Sequence, residues 1–206
     1  MPLHVLDHPL AGHLLSELRD KNTRPERFRV LADNLTTLLV LEATTQIRTR
    51  EAEIETPIQG TKVKVLDQAL AVVPILRAGL GMLDPTLRLF PEVAVGYIGL
   101  ERCEETAVAR SYYSKLPKLT DKYTLCVDPM LATGGSAAQA ISLIKAHGAT
   151  QITMVSIVSA PEGVAFLQSK HPEILIVTAA IDEGLNDKKY IVPGLGDFGD
   201  RLYGTP

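Results

Sequence analysis

Between Tyr123 and Ser136 the chain reads YTLCVDPMLATGGS. An apolar run ends at an acid, Asp128, and Thr133-Gly134-Gly135-Ser136 then opens a segment with helical spacing. At the carboxyl edge of a parallel sheet, a strand–loop–helix of this kind is a ligand position. Backbone N–H groups of a glycine-containing loop converge on an anion, and the helix terminus adds its positive end. Glycine lets the backbone approach a phosphate with no Cβ in the way, and Thr133 and Ser136 add hydroxyl donors. The chemistry implied is phosphate binding at Ala132–Ser136, beside a carboxylate that can accept hydrogen bonds from sugar hydroxyls. The same residues would also make an ordinary strand–helix turn with a Ser/Thr cap. A P-loop is excluded, because no lysine occurs between Lys122 and Lys145.

Two arginines and one further acid could join this site. Arg77 leaves the apolar run Ala69–Leu76 and enters the small residues Ala78-Gly79. A guanidinium there can hold two phosphate oxygens at once and keeps its charge; an exposed arginine after a strand would look the same. Arg102 stands in a polar stretch, Glu101 to Thr120, which reads as a long loop or extended hairpin arm. Loops of that length in compact domains are usually functional or disordered. Asp197 lies inside Gly194–Gly199, which spells GxGxxG. A dinucleotide site needs that motif to open a helix within a βαβ unit. Only Asp200 to Pro206 follow, so neither the helix nor the next strand is expected, and Asp197 could equally be a turn aspartate.

The elements that must position these residues follow from periodicity. Helical spacing runs from Pro25 to about Gln46 through Phe28, Leu31, Leu35 and Leu39, with Pro25 suited to a first turn. Glu51–Glu55 alternates like a short, half-exposed strand. Apolar runs then alternate with helix-length segments: Ala69–Leu76 and Leu80–Leu89; Val93–Leu100; Tyr123–Val127 and Gly135–His147; Gln151–Val158 and Glu162–His171; Ile174–Ala180. Continuous apolar strands alternating with helices point to an α/β fold with a mainly parallel central sheet, covered on both faces. From Asp182 onward glycine is too frequent for core, and the segment reads as an ordered hood over the sheet edge.

The whole chain, 206 residues, is expected to form a single domain: an N-terminal helical segment over 1–50, an arm over 101–120 and a hood over 182–206. Charge is balanced, 21 basic against 24 acidic residues, net -3. Neither half has an excess of base, which argues against a nucleic-acid partner. No apolar run is long enough to span a membrane, and no signal peptide is expected. Two cysteines make no disulfide framework, and a reducing cytoplasmic setting fits both; Cys126 reads as core and Cys103 as exposed.

The segment around Asp128 resembles the phosphoribosyl pyrophosphate motif of the type I phosphoribosyltransferases. Pro129 stands where most members carry a second acid, and Ala132 where many carry a further one. Asp-Pro-Met-Leu-Ala-Thr-Gly-Gly-Ser is similar to the form in the uracil phosphoribosyltransferases. Val73–Met82 resembles that family's pyrophosphate loop. Glu101–Thr106 resembles the start of its mobile arm, with Cys103 in place of the usual Asp. Asp182–Asn186 and Tyr190–Arg201 resemble its uracil hood, with Phe198 at a usually small position. The likeness covers essentially the whole chain, most strongly from Ala69.

The resemblance implies transfer of uracil onto 5-phosphoribosyl 1-pyrophosphate, giving UMP and pyrophosphate in pyrimidine salvage. It implies Asp128, Arg77 and Asp197 as catalytic residues. The donor would be bound by Arg77, Arg102, Asp128, Pro129, Met130, Leu131, Ala132, Thr133, Gly134, Gly135, Ser136 and Asp197. Uracil would be read by main-chain groups of Ile191, Gly196 and Phe198, beside Asp197. Magnesium would arrive chelated to the donor, with no protein metal site. GTP stands as a candidate effector, and a homodimer or higher homo-oligomer is implied. Two rivals are an RNA-binding pyrimidine regulator on the same fold and a phosphoribosyltransferase for another base.

Other features are set aside. His4, His8 and His13 could suggest zinc, but Pro9 and Gly12 argue against a continuous helix there. Arg19, Lys21, Arg24, Arg27 and Arg29 read best as a solvated helix face, with a subunit or effector contact as the alternative. His147 reads as the C-terminal residue of a helix.

Overall fold

The computed structural model describes residues 3–102 and 109–205. After β1 (Leu3–Val5) come helices α1 (Pro9–Arg19) and α2 (Pro25–Ala43). Strands β2 (Thr49–Glu55) and β3 (Gly60–Leu66) pair antiparallel as a separate, largely exposed hairpin. Next are β4 (Leu70–Leu76), a 3₁₀ turn (Ala78–Met82), α3 (Leu83–Leu89), β5 (Ala94–Val95) and β6 (Tyr97–Arg102). The chain continues through β7 (Ala109–Lys115), β8 (Tyr123–Val127), β9 (Met130–Leu131) and α4 (Gly135–Ala146). It ends with β10 (Gln151–Ser159), α5 (Pro161–Lys170), β11 (Leu175–Ile181), the short strands β12 (Gly184–Leu185) and β13 (Ile191–Val192), and α6 (Phe198–Tyr203).

The main sheet runs β1-β11-β10-β8-β4-β6-β7. All its pairings are parallel except β6 with β7. Strands β4, β8 and β10 are buried along nearly their whole length, as a sheet covered on both faces requires. The side-chain period of two sorts their residues. Val72, Leu125, Val127 and Val155 face a core built with α1, α2, α3 and the hood. Ala71, Val73, Cys126 and Met154 face a second core built with α4 and α5. In α2, Phe28, Leu31, Leu35 and Leu39 are fully buried on one stripe, each contributing about 1.5–3 kcal/mol of transfer free energy. Among the described residues no helix is long and apolar enough to cross a membrane.

Three expectations change here. Gly12 does not interrupt α1, which runs unbroken with Pro9 in its first turn and His8 as its cap. The Nδ1 of His8 accepts from the Leu10 N–H at 3.1 Å, and the stripe Ala11, Leu14, Leu15, Leu18 is buried; that packing outweighs the roughly 1 kcal/mol cost of one helical glycine. The hood, though rich in glycine, contributes core: Ile191, Leu195, Phe198 and Leu202 are all buried. The basic run is not simply a solvated face, since two of its arginines bond the hood, as described below. The expected arm contains an antiparallel pair, with Glu101 opposite Arg110 and Arg102 opposite Ala109; Cys103 lies outside the described residues.

Candidate active site

The carboxyl ends of β4 and β8 open onto one edge of the sheet, where the candidate residues gather. Strand β8 stops at Val127, and pairing with β10 resumes at β9, where Met130 faces Val158. Between them the chain detaches: the Pro129 carbonyl accepts from both Ile157 and Val158 N–H at 3.0 Å, and Ser156 Oγ donates to the Asp128 carbonyl at 2.8 Å. Asp128 is therefore carried on the sheet edge by its backbone, as a half-buried residue. Burial pushes that carboxyl up to about 7, partly offset by a hydrogen bond from the Met130 N–H. Pro129, where most relatives of the motif have a second acid, is buried in this break.

The phosphate loop follows directly. Gly134 caps α4 in the left-handed region at φ 78°. A Cβ on Gly134 would lie 2.6 Å from the Gly163 carbonyl, and one on Gly163 would collide with the Ala132 carbonyl. The loop is thus pressed onto the start of α5 at two glycines. Gly135 differs: a Cβ there would meet nothing nearer than Thr133 Oγ1 at 3.8 Å. The space over Gly135 is open, and α4 has no side-chain cap over its first N–H groups. Among the described residues neither Thr133 Oγ1 nor Ser136 Oγ makes a hydrogen bond. The loop therefore presents unspent donors to an anion at the positive end of a helix.

Arg77 is exposed just beyond β4, after a cis peptide to Leu76. The 3₁₀ turn behind it packs closely on two sides. A Cβ on Gly79 would lie 2.6 Å from the Val127 carbonyl, and one on Gly81 2.6 Å from Leu202 Cδ2 of α6. Tyr203 Oη donates to the Arg77 carbonyl at 3.3 Å. The pyrophosphate-loop candidate is thereby tied to both the Asp128 strand and the hood. Arg102 ends β6, the strand beside β4.

A cleft of about 200 Å³ lies between these loops and the hood. Ala78 enters it from the turn after Arg77, Met130 and Ala132 from the phosphate loop, and Tyr190–Ile191 and Gly196–Gly199 from the hood. Ile191, Gly196, Asp197 and Phe198 thus meet Met130 and Ala132 in one space. A larger cavity, about 390 Å³ between Gln68–Leu70 and Leu89–Val93, opens at the opposite, amino end of β4, away from this chemistry. Asp197 caps α6, its Oδ1 accepting from the Asp200 N–H at 2.9 Å. So the GxGxxG segment does open a helix, but a six-residue one outside any βαβ unit.

Phe198, at a position usually small in the resembled hood, turns its ring into the core. Its ring is buried and meets Phe28 of α2 edge-on, with centroids 5.1 Å apart. The phenyl group packs into the core beside α2, and the residue also lines the cleft. Cys126 is no nucleophile candidate: it is fully buried, and burial pushes its thiol far above the ordinary range. Sequence reasoning overlooked Arg19, Asp182 and Arg201, whose bonds span the chain from end to end. The one available signal was the density of basic residues around Arg19.

A family model described as "Uracil phosphoribosyltransferase" matches residues 5–205. A uracil phosphoribosyltransferase of Dictyoglomus thermophilum is 55% identical over 203 residues, 98% of each chain. One of Clostridium perfringens is 52% identical over 202 residues, 97% of each chain. Among solved structures, a protein from Aquifex aeolicus superposes with a TM-score of 0.93 at 40% identity, covering 98% of this chain and 97% of its own. A phosphoribosyltransferase of Corynebacterium diphtheriae shares the fold, with a TM-score of 0.55 at 12% identity over 85% of this chain and 98% of its own.

Proposed function

The chain belongs to the uracil phosphoribosyltransferase family, and from that premise we propose how its residues join uracil to 5-phosphoribosyl 1-pyrophosphate, giving UMP and pyrophosphate. The observation that most supports this reading is the cleft in which the hood segment Gly196–Gly199 meets Met130 and Ala132 of the phosphate loop. A base held by the hood and a sugar phosphate held by the loop would meet there at the anomeric carbon.

The 5′-phosphate sits on Ala132–Ser136, over the open Gly135, and takes the Thr133 and Ser136 hydroxyls and the first N–H groups of α4. Asp128 accepts hydrogen bonds from the ribose hydroxyls and stabilises positive character on the ring as the bond to pyrophosphate lengthens. Arg77 and Arg102 neutralise charge on the departing pyrophosphate. Main-chain groups of Ile191, Gly196 and Phe198 match the alternating donors and acceptors on the edge of uracil. N1 bonds to the anomeric carbon as pyrophosphate leaves, and the N1 proton passes to Asp197 or to solvent.

Magnesium fits this arrangement as a ligand of the donor's own oxygens. Among the described residues no group of three or more His, Cys, Asp or Glu could hold a metal ion, whereas Asp197 commits only Oδ1 to its cap and can face the chelate. When bound, the ion would supply further charge neutralisation at the leaving group. The same reading takes residues 1–206 as one domain, with 101–120 as arm and 182–206 as hood. A cytoplasmic setting, which the two cysteines suit, belongs to the same reading, as do the homo-oligomeric state and the response to GTP that the family resemblance implies. The test is stoichiometry: with uracil, donor and magnesium, one pyrophosphate is expected per UMP formed. Pyrophosphate release without UMP would contradict the reading.

A further inference from the structure

The hood's reading edge is held by a reciprocal pair of arginine clamps. Arg19, the last residue of α1, is bidentate on Asp182, with Nη1 to Oδ2 at 2.8 Å and Nη2 to Oδ1 at 2.5 Å. Its Nη1 also donates to the Gly194 carbonyl at 2.8 Å. Asp182 Oδ2 accepts the Gly194 N–H at 2.9 Å, and the Asp182 N–H donates to the Ser159 carbonyl at the end of β10. Both main-chain groups of Gly194 are therefore committed to one ion pair, whose carboxylate is only 4% exposed. Arg201 of α6 returns the grip. Its guanidinium donates to the Leu195 carbonyl at 2.8 Å, to the Asp20 carbonyl at 2.6 Å and to the Leu18 carbonyl. It also lies 4.5 Å from the ring centroid of Phe28, which in turn meets Phe198.

Gly194 and Leu195 lie between Ile191 and Gly196, two of the residues whose main-chain groups are assigned to uracil, and follow Val192 and Pro193. Gly194 has φ 60°, and a Cβ there would collide with the Ile191 carbonyl. Backbone of this kind has no strand ladder to hold it: β13 ends at Val192 and α6 begins at Phe198. Side chains from the other end of the sequence must hold it instead. A bidentate arginine–carboxylate pair is suited to this because it fixes orientation as well as distance.

We propose that Arg19 and Asp182 are positioning residues for uracil, setting the register of the Ile191–Gly196 main chain from outside the cleft. The proposal rests on the functional reading above and deepens it. Hydrogen-bond recognition tolerates little displacement, so loosening the clamp costs base affinity before it costs donor affinity.

The experiment is two-substrate steady-state kinetics on wild type and the Arg19→Ala, Arg19→Lys and Asp182→Asn variants, with thermal melting alongside. Arg19→Ala and Asp182→Asn are expected to raise KM for uracil at least tenfold while KM for the donor stays within about threefold. Arg19→Lys keeps the charge but loses the fork, and is expected to fall between wild type and Arg19→Ala. If the pair only supported stability, kcat would fall with the folded fraction and KM for uracil would stay constant; that overturns the proposal. Equal rises in both KM values also overturn it. If Arg19→Ala fails to fold, Arg19→Lys decides the matter by the same KM ratio. A wild type that turns over the donor but not uracil would overturn the functional reading itself, and this proposal with it.

Discussion

In its proposed role Asp128 accepts two hydroxyl donors as a carboxylate, yet burial raises its carboxyl to about 7. In the free protein near neutral pH, a large share of molecules therefore holds it protonated. The rate at limiting donor is expected to rise with pH through about 7 as the carboxylate forms. The sign for stability is opposite. A raised carboxyl favours folding below the ordinary carboxylate range near pH 4, and that contribution is lost as pH rises through about 7. Asp128→Asn should thus lose roughly 10²-fold in turnover and lack the acid limb. Its stability relative to wild type should also rise from about pH 4 and level off above about pH 7. Parallel pH–rate and denaturant-unfolding series check both; an unchanged acid limb in the variant would assign that limb to another group. The adjacent Pro129 and the buried Cys126 supply no second titrating nucleophile or acid in this strand end.

At the scale of elements, two neighbouring glycines in one loop are expected to behave differently. Gly134→Ala places a side chain at φ 78° and 2.6 Å from the Gly163 carbonyl, so it should cost stability by about 1–2 kcal/mol or more. Gly135→Ala meets open space in the free protein and should melt like wild type, while weakening donor binding because the new methyl occupies the phosphate's approach. Melting temperatures with donor titrations separate the two; equal destabilisation would mean that the space over Gly135 is not a ligand site. Such elements were legible to different degrees. The strands β4, β8 and β10 announced themselves because burial on both faces demands unbroken apolar runs. The turn at Thr133–Ser136 was legible because paired glycines between an apolar run and a segment of helical spacing mark a strand–helix turn. Helix α1 was obscured by Pro9 and Gly12, since its stability comes from a buried stripe rather than from propensity. Strand β3 was missed because it pairs only with β2 and buries almost nothing. The Arg19–Asp182 pair, 163 residues apart, has no local pattern to betray it.

Across the whole molecule, a net charge of -3 coexists with a proposed site for a polyanion. In the proposed assignment, positive potential comes locally from the α4 terminus, from loop N–H groups and from Arg77, so no basic surface is required. The N-terminal helices and the last elements of the chain meet at the proposed base half of the site: α1 and α2 grip the hood through Arg19, Arg29 and Phe28, and the hood grips back through Arg201. The donor half comes from the middle of the chain, at the ends of β4 and β8. On the proposed assignment, uracil specificity depends on how the two ends are assembled. A panel of free bases, uracil, cytosine, adenine, guanine and hypoxanthine, incubated singly with donor and magnesium, measures it directly. Pyrophosphate release and nucleotide formation are expected with uracil and at least 10²-fold less with each other base, because a mismatched edge leaves main-chain groups unpaired. Turnover of any other base at a rate equal to or above that of uracil would contradict the account.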